Sequence, residues 1–171
     1  MNRRWIKVET SASVKAGTDT ALRPVPGTYA LILSSTKESI IKVGRMGRMR
    51  LQPGFYMYVG SALGPGGLRA RIAHHQRRSA QPRWHIDYLR RHTLLDQIWC
   101  LYSAVRREHE WARAMSVLRG ASIPLARFGA SDCHCESHVC FFGNRPSRRA
   151  FERSLRTFGA NGRARHDRQC R

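Results

Sequence analysis

Acidic side chains are scarce in this chain: 11 Asp and Glu stand against 31 Lys and Arg, for a net charge of +20 and a pI near 11.4. Ordinary small domains carry a net charge of about 2–8. The imbalance therefore speaks against a polycationic partner and favours a polyanion. Lysine is scarce too, and arginine, whose planar fork suits phosphate, carries most of the positive charge. No run of about 18 apolar residues occurs, so no membrane-spanning helix is expected. The start, Met1-Asn-Arg-Arg-Trp5, lacks the apolar stretch of a signal peptide, so its twin arginines do not read as an export signal. There is no internal repeat. Five cysteines make an odd set, and Cys100 sits in an apolar run, which points to a reducing interior; the expected localisation is cytoplasmic and nucleoid-associated.

What is present centres on residues 55–75. Phe55, Met57 and Val59 alternate with Tyr56 and Tyr58, the period of a strand. Gly64, Pro65, Gly66 and Gly67 then permit a tight loop. After it the period lengthens: Leu68, Arg71, Ile72 and His75 fall on one face of a helix. A strand tyrosine, a glycine-rich loop, and an arginine and histidine on the packing face would surround one small cleft suited to phosphate.

In chain order, residues 1–22 are polar without a sustained period and read as a flexible basic arm. Residues 23–143 read as one domain, and 144–171 as an arginine-rich tail, partly helical, with Phe151, Leu155 and Phe158 at helical spacing. Gly27 to Leu33 is apolar on both faces, as a central strand would be. Strands are expected at 40–44 and 47–51, then the Phe55 strand, a helix ending near Ser79, a short helix over Trp84–Arg91, and a strand over Leu94–Tyr102. A further helix is expected from about Ala104 to Leu118, with Val105, Ala112, Met115 and Leu118 on its apolar side and Trp111 on the flank. The class is α/β in the broad sense, α+β: a small, mostly antiparallel sheet flanked by helices.

Glu108 falls within that apolar stripe, three residues from Val105 and four from Ala112, whereas Glu110 points nearly the opposite way. A carboxylate on a buried face must be paired, protonated or bound to metal. Two outcomes stay open: a salt bridge to an arginine, or a divalent-metal ligand at the floor of a cleft. Further on, Asp132, Cys133, Cys135, His138 and Cys140 crowd together. Zinc at Cys133, Cys135 and His138 is the disfavoured expectation, because structural sites usually draw ligand pairs from separate segments and no second CxxC or HxxxH is present.

Gly27-Thr-Tyr29 and Tyr58-Val-Gly60 resemble the two halves of the GIY-YIG nuclease motif, and Leu68-x-x-Arg71 resembles the helix that follows it. More narrowly, YMYVGSALGPGGLRARIAHH, WHIDYL, Glu108 and FGASDCHCESH resemble a small GIY-YIG-like group of unassigned function, over about residues 26–143. The interval between the two half-motifs is longer than in simple GIY-YIG nucleases and implies an extra hairpin. Thr28 stands in place of isoleucine, and His109 where the narrower group usually has cysteine.

The resemblance implies a GIY-YIG-like fold and a metal-dependent endonuclease that hydrolyses phosphodiesters of double-stranded or structured DNA, in repair or processing. In this chain Tyr29 and Tyr58 would orient the attacking water, Arg71 would hold the scissile phosphate, and His75 would serve as acid, base or phosphate donor. Glu108 would hold a single Mg²⁺ or Mn²⁺. Ser61, Arg69, His74, Arg77 and Arg78 are the expected DNA contacts. A repair glycosylase is an expected associate, since the domain also occurs fused to one. The rival expectation is a nucleic-acid-binding module that keeps the phosphate-gripping cleft without catalysis.

Overall fold

A computed structural model describes residues 6–9, 22–77 and 80–161. The expectations for Arg78, for residues 1–5 and 10–21 of the arm, and for 162–171 of the tail lie outside the described residues.

The centre of the fold is strand β2, counted after β1 (Ile6–Glu9) and spanning Gly27–Ser35. Tyr29, Leu31 and Leu33 project into one apolar cluster, Ala30 and Ile32 into another, so β2 is buried on both faces. That explains its nearly unbroken apolar sequence. A separate hairpin follows, β3 (Ser39–Lys42) paired with β4 (Arg48–Leu51), and fills the long interval between the two tyrosine motifs. Strand β5 (Gly54–Ala62) then returns along one edge of β2.

Helices α1 (Gly67–Gln76) and α2 (His85–Arg90) follow, and β6 (Leu94–Tyr102) pairs with the other edge of β2. Helix α3 (Glu108–Ser116), strand β7 (Val139–Phe142) and helix α4 (Arg148–Asn161) complete the chain. The main sheet has the order β1-β6-β2-β5-β7, every pair antiparallel. Leu68 and Ile72 of α1 and Ile86 and Leu89 of α2 pack on the face carrying Tyr29 and Tyr58. Trp111, Ala112 and Met115 of α3, with Phe151 and Leu155 of α4, cover the opposite face. The architecture is α+β, helices on both sides of an antiparallel sheet.

Several expectations change. Residues 6–9 of the arm form β1 and pair with β6, Ile6 opposite Cys100. Helix α1 ends at Gln76 rather than near Ser79, and α3 begins at Glu108 instead of Ala104. Val105 therefore precedes the helix and is 61% exposed, while Trp111, expected on the flank, is buried. An isolated valine three residues before Glu108 imitates helical spacing, but the first buried turn starts only at the glutamate. Helix α4 is not a loose appendage. Phe151 lies between Trp99 and Trp111, with ring centroids 5.8 and 5.3 Å away. Among the described residues, no helix is long and apolar enough to cross a membrane.

Candidate active site

Register builds the site. The pairing of β2 with β5 sets Tyr29 opposite Gly60, and a Cβ at position 60 would come 2.6 Å from the Tyr29 hydroxyl. Glycine is required there to leave room for the phenol. The loop after β5 reaches α1 through Gly66 and Gly67, both with positive φ (78° and 51°). A side chain on Gly67 would overlap the Val25 backbone, and the next residue, Leu68, donates its N–H to the Val25 carbonyl at 3.0 Å. Helix α1 is thereby docked on the chain leading into β2. From that start Leu68, Ile72 and His75 all turn inward and are buried.

His75 Nε2 lies 2.7 Å from the Tyr29 hydroxyl. The ring of Tyr58 stands 6.5 Å, centroid to centroid, from both Tyr29 and His75. Burial pushes His75 down to about 3, with the positive charges of His74 and Arg71 acting in the same direction. The imidazole is therefore neutral and can serve the Tyr29 hydroxyl as a hydrogen-bond acceptor. Burial also raises both phenols well above the ordinary tyrosine value, Arg71 opposing and Glu108 adding to the shift. Nδ1 of His75 has no hydrogen-bond partner among the described residues. The α1 segment that carries His75 is anchored by Arg90 of α2, whose Nε donates to the His75 carbonyl at 3.1 Å.

Arg71 lies one turn before His75, and its guanidinium sits 4.3 Å over the Trp84 ring. Arg71, His74 and Trp84 line a groove with Gly64, Pro65 and Gly67 of the loop. The His74 ring is held by Asp87 Oδ1 at 3.0 Å. Burial alone would raise Asp87, but the N–H groups of Trp84 and Arg83 and the His74 ring outweigh it and hold the carboxyl below its usual range. Asp87 thus fixes both the entry to α2 and the wall of the groove.

Glu108 arrives from the other side of the sheet. It opens α3, which packs against Met57 and Val59, and its carboxylate accepts a hydrogen bond from Ser61 at the end of β5. Arg106 Nη1 lies 3.0 Å and His109 Nε2 3.5 Å from Glu108 Oε1. The arginine salt bridge is therefore formed. Strand β7 pairs with β5 only as far as Tyr58, and the Glu108 carboxylate reaches the following residues. Ser61 is in phase with Met57 and Val59, so Glu108 is held near the end of β5 on the α3 face of the sheet, opposite the face that carries Tyr29 and Tyr58.

Of the expected site residues, the structure brings Tyr29, Tyr58 and His75 into direct neighbourhood, with Arg71 one helical turn away and Glu108 at the strand end. Tyr29 does not face solvent, being 1% exposed. Among the expected DNA contacts, Arg69 and Arg77 are exposed, His74 is paired with Asp87, and Ser61 is committed to Glu108. Glu110 pairs with Arg107 at 3.0 Å, away from this group. Sequence reasoning missed Trp84 and Asp87 as parts of the site, although WHIDYL stands out as a motif. It also missed Phe128 and Gly129, which support Tyr58: Phe128 meets the Tyr58 ring edge-on at 6.2 Å, and a Cβ at Gly129 (φ 72°) would come 3.1 Å from that ring.

Fold and site together define an α+β domain arranged around a buried tyrosine–histidine pair that opens beside an arginine-lined groove. The chain belongs to the family described as domain of unknown function DUF123, whose family model matches residues 28–160. That match begins in β2 and takes in most of α4. No curated protein and no solved structure matches the chain.

Proposed function

We propose that this protein is a divalent-metal-dependent endonuclease that hydrolyses phosphodiester bonds in DNA, double-stranded or structured, in repair or processing. The observation that carries the proposal is the Tyr29–His75 hydrogen bond beside Tyr58, with Arg71 one helical turn away on the groove wall. The resemblance of Gly27-Thr-Tyr29, Tyr58-Val-Gly60 and Arg71 to the GIY-YIG nuclease motif supports it.

The chemistry needs a positioned water, neutralised phosphate charge and a place for the proton. Tyr58, at 9% exposure the more open of the two phenols, orients the water. As the water oxygen bonds to phosphorus and the bond to the leaving oxygen breaks, the water's proton passes by way of the phenols to that oxygen, while His75, neutral and bonded to Tyr29, fixes the hydroxyl that relays it. Arg71 holds the non-bridging phosphate oxygens, its plane kept in place by Trp84. Glu108 with Ser61 offers the hard-oxygen donors that suit Mg²⁺ or Mn²⁺, ions often bound through one carboxylate, waters and the substrate phosphate. Such an ion supplies charge neutralisation on the phosphate and the leaving oxygen. Arg69 and Arg77 extend the positive surface along α1 for the DNA backbone.

One observation favours a second possibility, a nucleic-acid grip without cleavage: Arg106 already neutralises Glu108. A cleavage screen in Mg²⁺ and Mn²⁺ over duplex, flap, branched and single-stranded DNA separates the two. The nuclease should cut at least one substrate, Glu108→Gln should abolish cutting with binding nearly kept, and Glu110→Gln should change little. Tight binding with no cutting across the panel establishes the grip instead.

A further inference from the structure

The cysteines between Phe128 and β7 have a partner that the sequence does not show. His109, next to Glu108 in the first turn of α3, meets Cys133 and Cys135 so that one ligand atom from each lies within 4.8 Å of the others. The Cys133 sulfur is also 3.4 Å from His138 Nε2. The His109 and His138 rings are neighbours, with centroids 5.9 Å apart. In tetrahedral zinc sites the metal stands about 2.3 Å from sulfur and about 2.0–2.1 Å from nitrogen, which puts neighbouring ligand atoms roughly 3.5 Å apart. The Cys133–His138 separation is that of two ligands on one ion.

We propose that His109, Cys133, Cys135 and His138 bind one zinc ion in a closed, structural site. The objection raised by the sequence was the lack of a second ligand pair. The fold answers it: the remote ligand comes singly, from a helix that precedes the loop by more than twenty residues. Two thiolates and two imidazoles are a donor set that selects zinc over the hard cations suited to Glu108. Binding releases the two thiol protons to solvent and leaves both imidazoles neutral, so no oxidant or reductant is involved.

The frame around the four side chains is already fixed. His138 donates its N–H to the Phe128 carbonyl at 2.7 Å, and its own carbonyl accepts from Val59 of β5 at 3.0 Å. Arg127 holds the loop from the other end, with its guanidinium on the Cys135 carbonyl at 3.0 Å and its N–H on the Glu136 carbonyl at 2.6 Å. Arg127 does so with φ at 62°, a left-handed conformation that a non-glycine residue keeps only where its surroundings impose it. Zinc would cross-link this loop to α3 one residue from Glu108, tying that carboxylate to the loop that supports Tyr58. Zinc binding does not depend on the nuclease proposal, since a protein that cuts nothing would hold the ion equally well.

Metal analysis of the untagged full-length chain tests it. Wild type should carry about one zinc per chain, and Co²⁺ in its place should give the thiolate charge-transfer band and strong visible absorption of a tetrahedral site. The Cys133→Ser, Cys135→Ser double variant should lose both the zinc and the band. His109→Ala should weaken zinc at least tenfold, whereas His109→Cys, a ligand exchanged for a ligand, should keep it with a stronger charge-transfer band. Wild type that holds less than a tenth of an equivalent after zinc loading, or a double Cys variant that retains zinc, overturns the proposal. Circular dichroism of each variant distinguishes loss of the ion from loss of the fold, and the His109→Cys result decides the matter if the serine variants do not fold.

Discussion

The Tyr29 hydroxyl and His75 Nε2 stand 2.7 Å apart, and each residue is only 1% exposed. Neither partner can turn to water if the other is removed. Tyr29→Phe would leave a buried imidazole nitrogen unpaired beside an Nδ1 that already lacks a partner, at a cost of about 1–3 kcal/mol. Urea unfolding of this variant should show that loss, and in a cleavage assay turnover should fall about a hundredfold, the scale of a missing proton relay. A variant that is equally stable and equally active would remove the pair from both accounts.

The same histidine makes a prediction about acid. Its folded value, about 3, lies far below that of an exposed histidine, near 6.5. Between those values the unfolded chain binds a proton that the folded chain refuses, so stability rises with pH across the window and is lost as pH falls from about 6.5 toward 3. The urea midpoint should therefore drop on going from pH 7 to pH 4.5. His75→Gln should flatten that dependence even though the variant is less stable at pH 7. An unaltered slope in the variant would show that another group carries the effect.

Arg71 and the exposed arginines of α1 should separate by the kind of loss they produce. Arg71→Lys keeps the charge but gives up the fork and the stack on Trp84, so turnover should fall more than affinity. Arg69→Ala and Arg77→Ala should weaken DNA binding at all sequences alike, each lowering the slope of log affinity against log salt by about 1. Filter binding from 50 to 300 mM salt gives the slopes. A salt-independent affinity in the wild type would speak against a phosphate-led interface.

Helix α4 should prove indispensable to folding. Phe151 is fully buried between two tryptophans, and Phe151→Ala should cost about 3–5 kcal/mol. Truncation after Ser147 would uncover that whole face and should give a chain without a cooperative thermal transition. A stable, cooperative chain ending at Ser147 would show that α4 is dispensable to the core.

The parts of this fold that announced themselves are those whose local pattern and tertiary role agree. The alternation in Phe55–Val59, the unbroken apolar run of β2 and the change of period after Gly67 each became the expected element. The inward turn of His75 followed from its spacing to Leu68 and Ile72. Strand β1 was hidden because four residues at a sheet edge carry too little pattern of their own; its partner supplies the definition. The start of α3 was misplaced because Val105 sits at helical distance from Glu108 yet points to solvent. Glu108 was expected at the floor of the cleft, whereas it is bonded to Ser61 near the end of β5 on the α3 face, a position fixed by packing that no spacing encodes. His109 was invisible as a neighbour of Cys133 for the same reason.

The place of β2 at the centre of the sheet also bears on how the chain reaches its folded form. Tyr29 pairs with Gly60 across a hairpin and with Cys100 only after two further helices have been threaded between them. Closing so long a loop costs entropy before the contact repays it. Chains dominated by such distant pairings fold in milliseconds to seconds rather than microseconds. The β2–β5 pair, whose closure is the shorter, is placed to form first. The phenol-and-glycine half of the cleft would then exist before β6 arrives to seal its back.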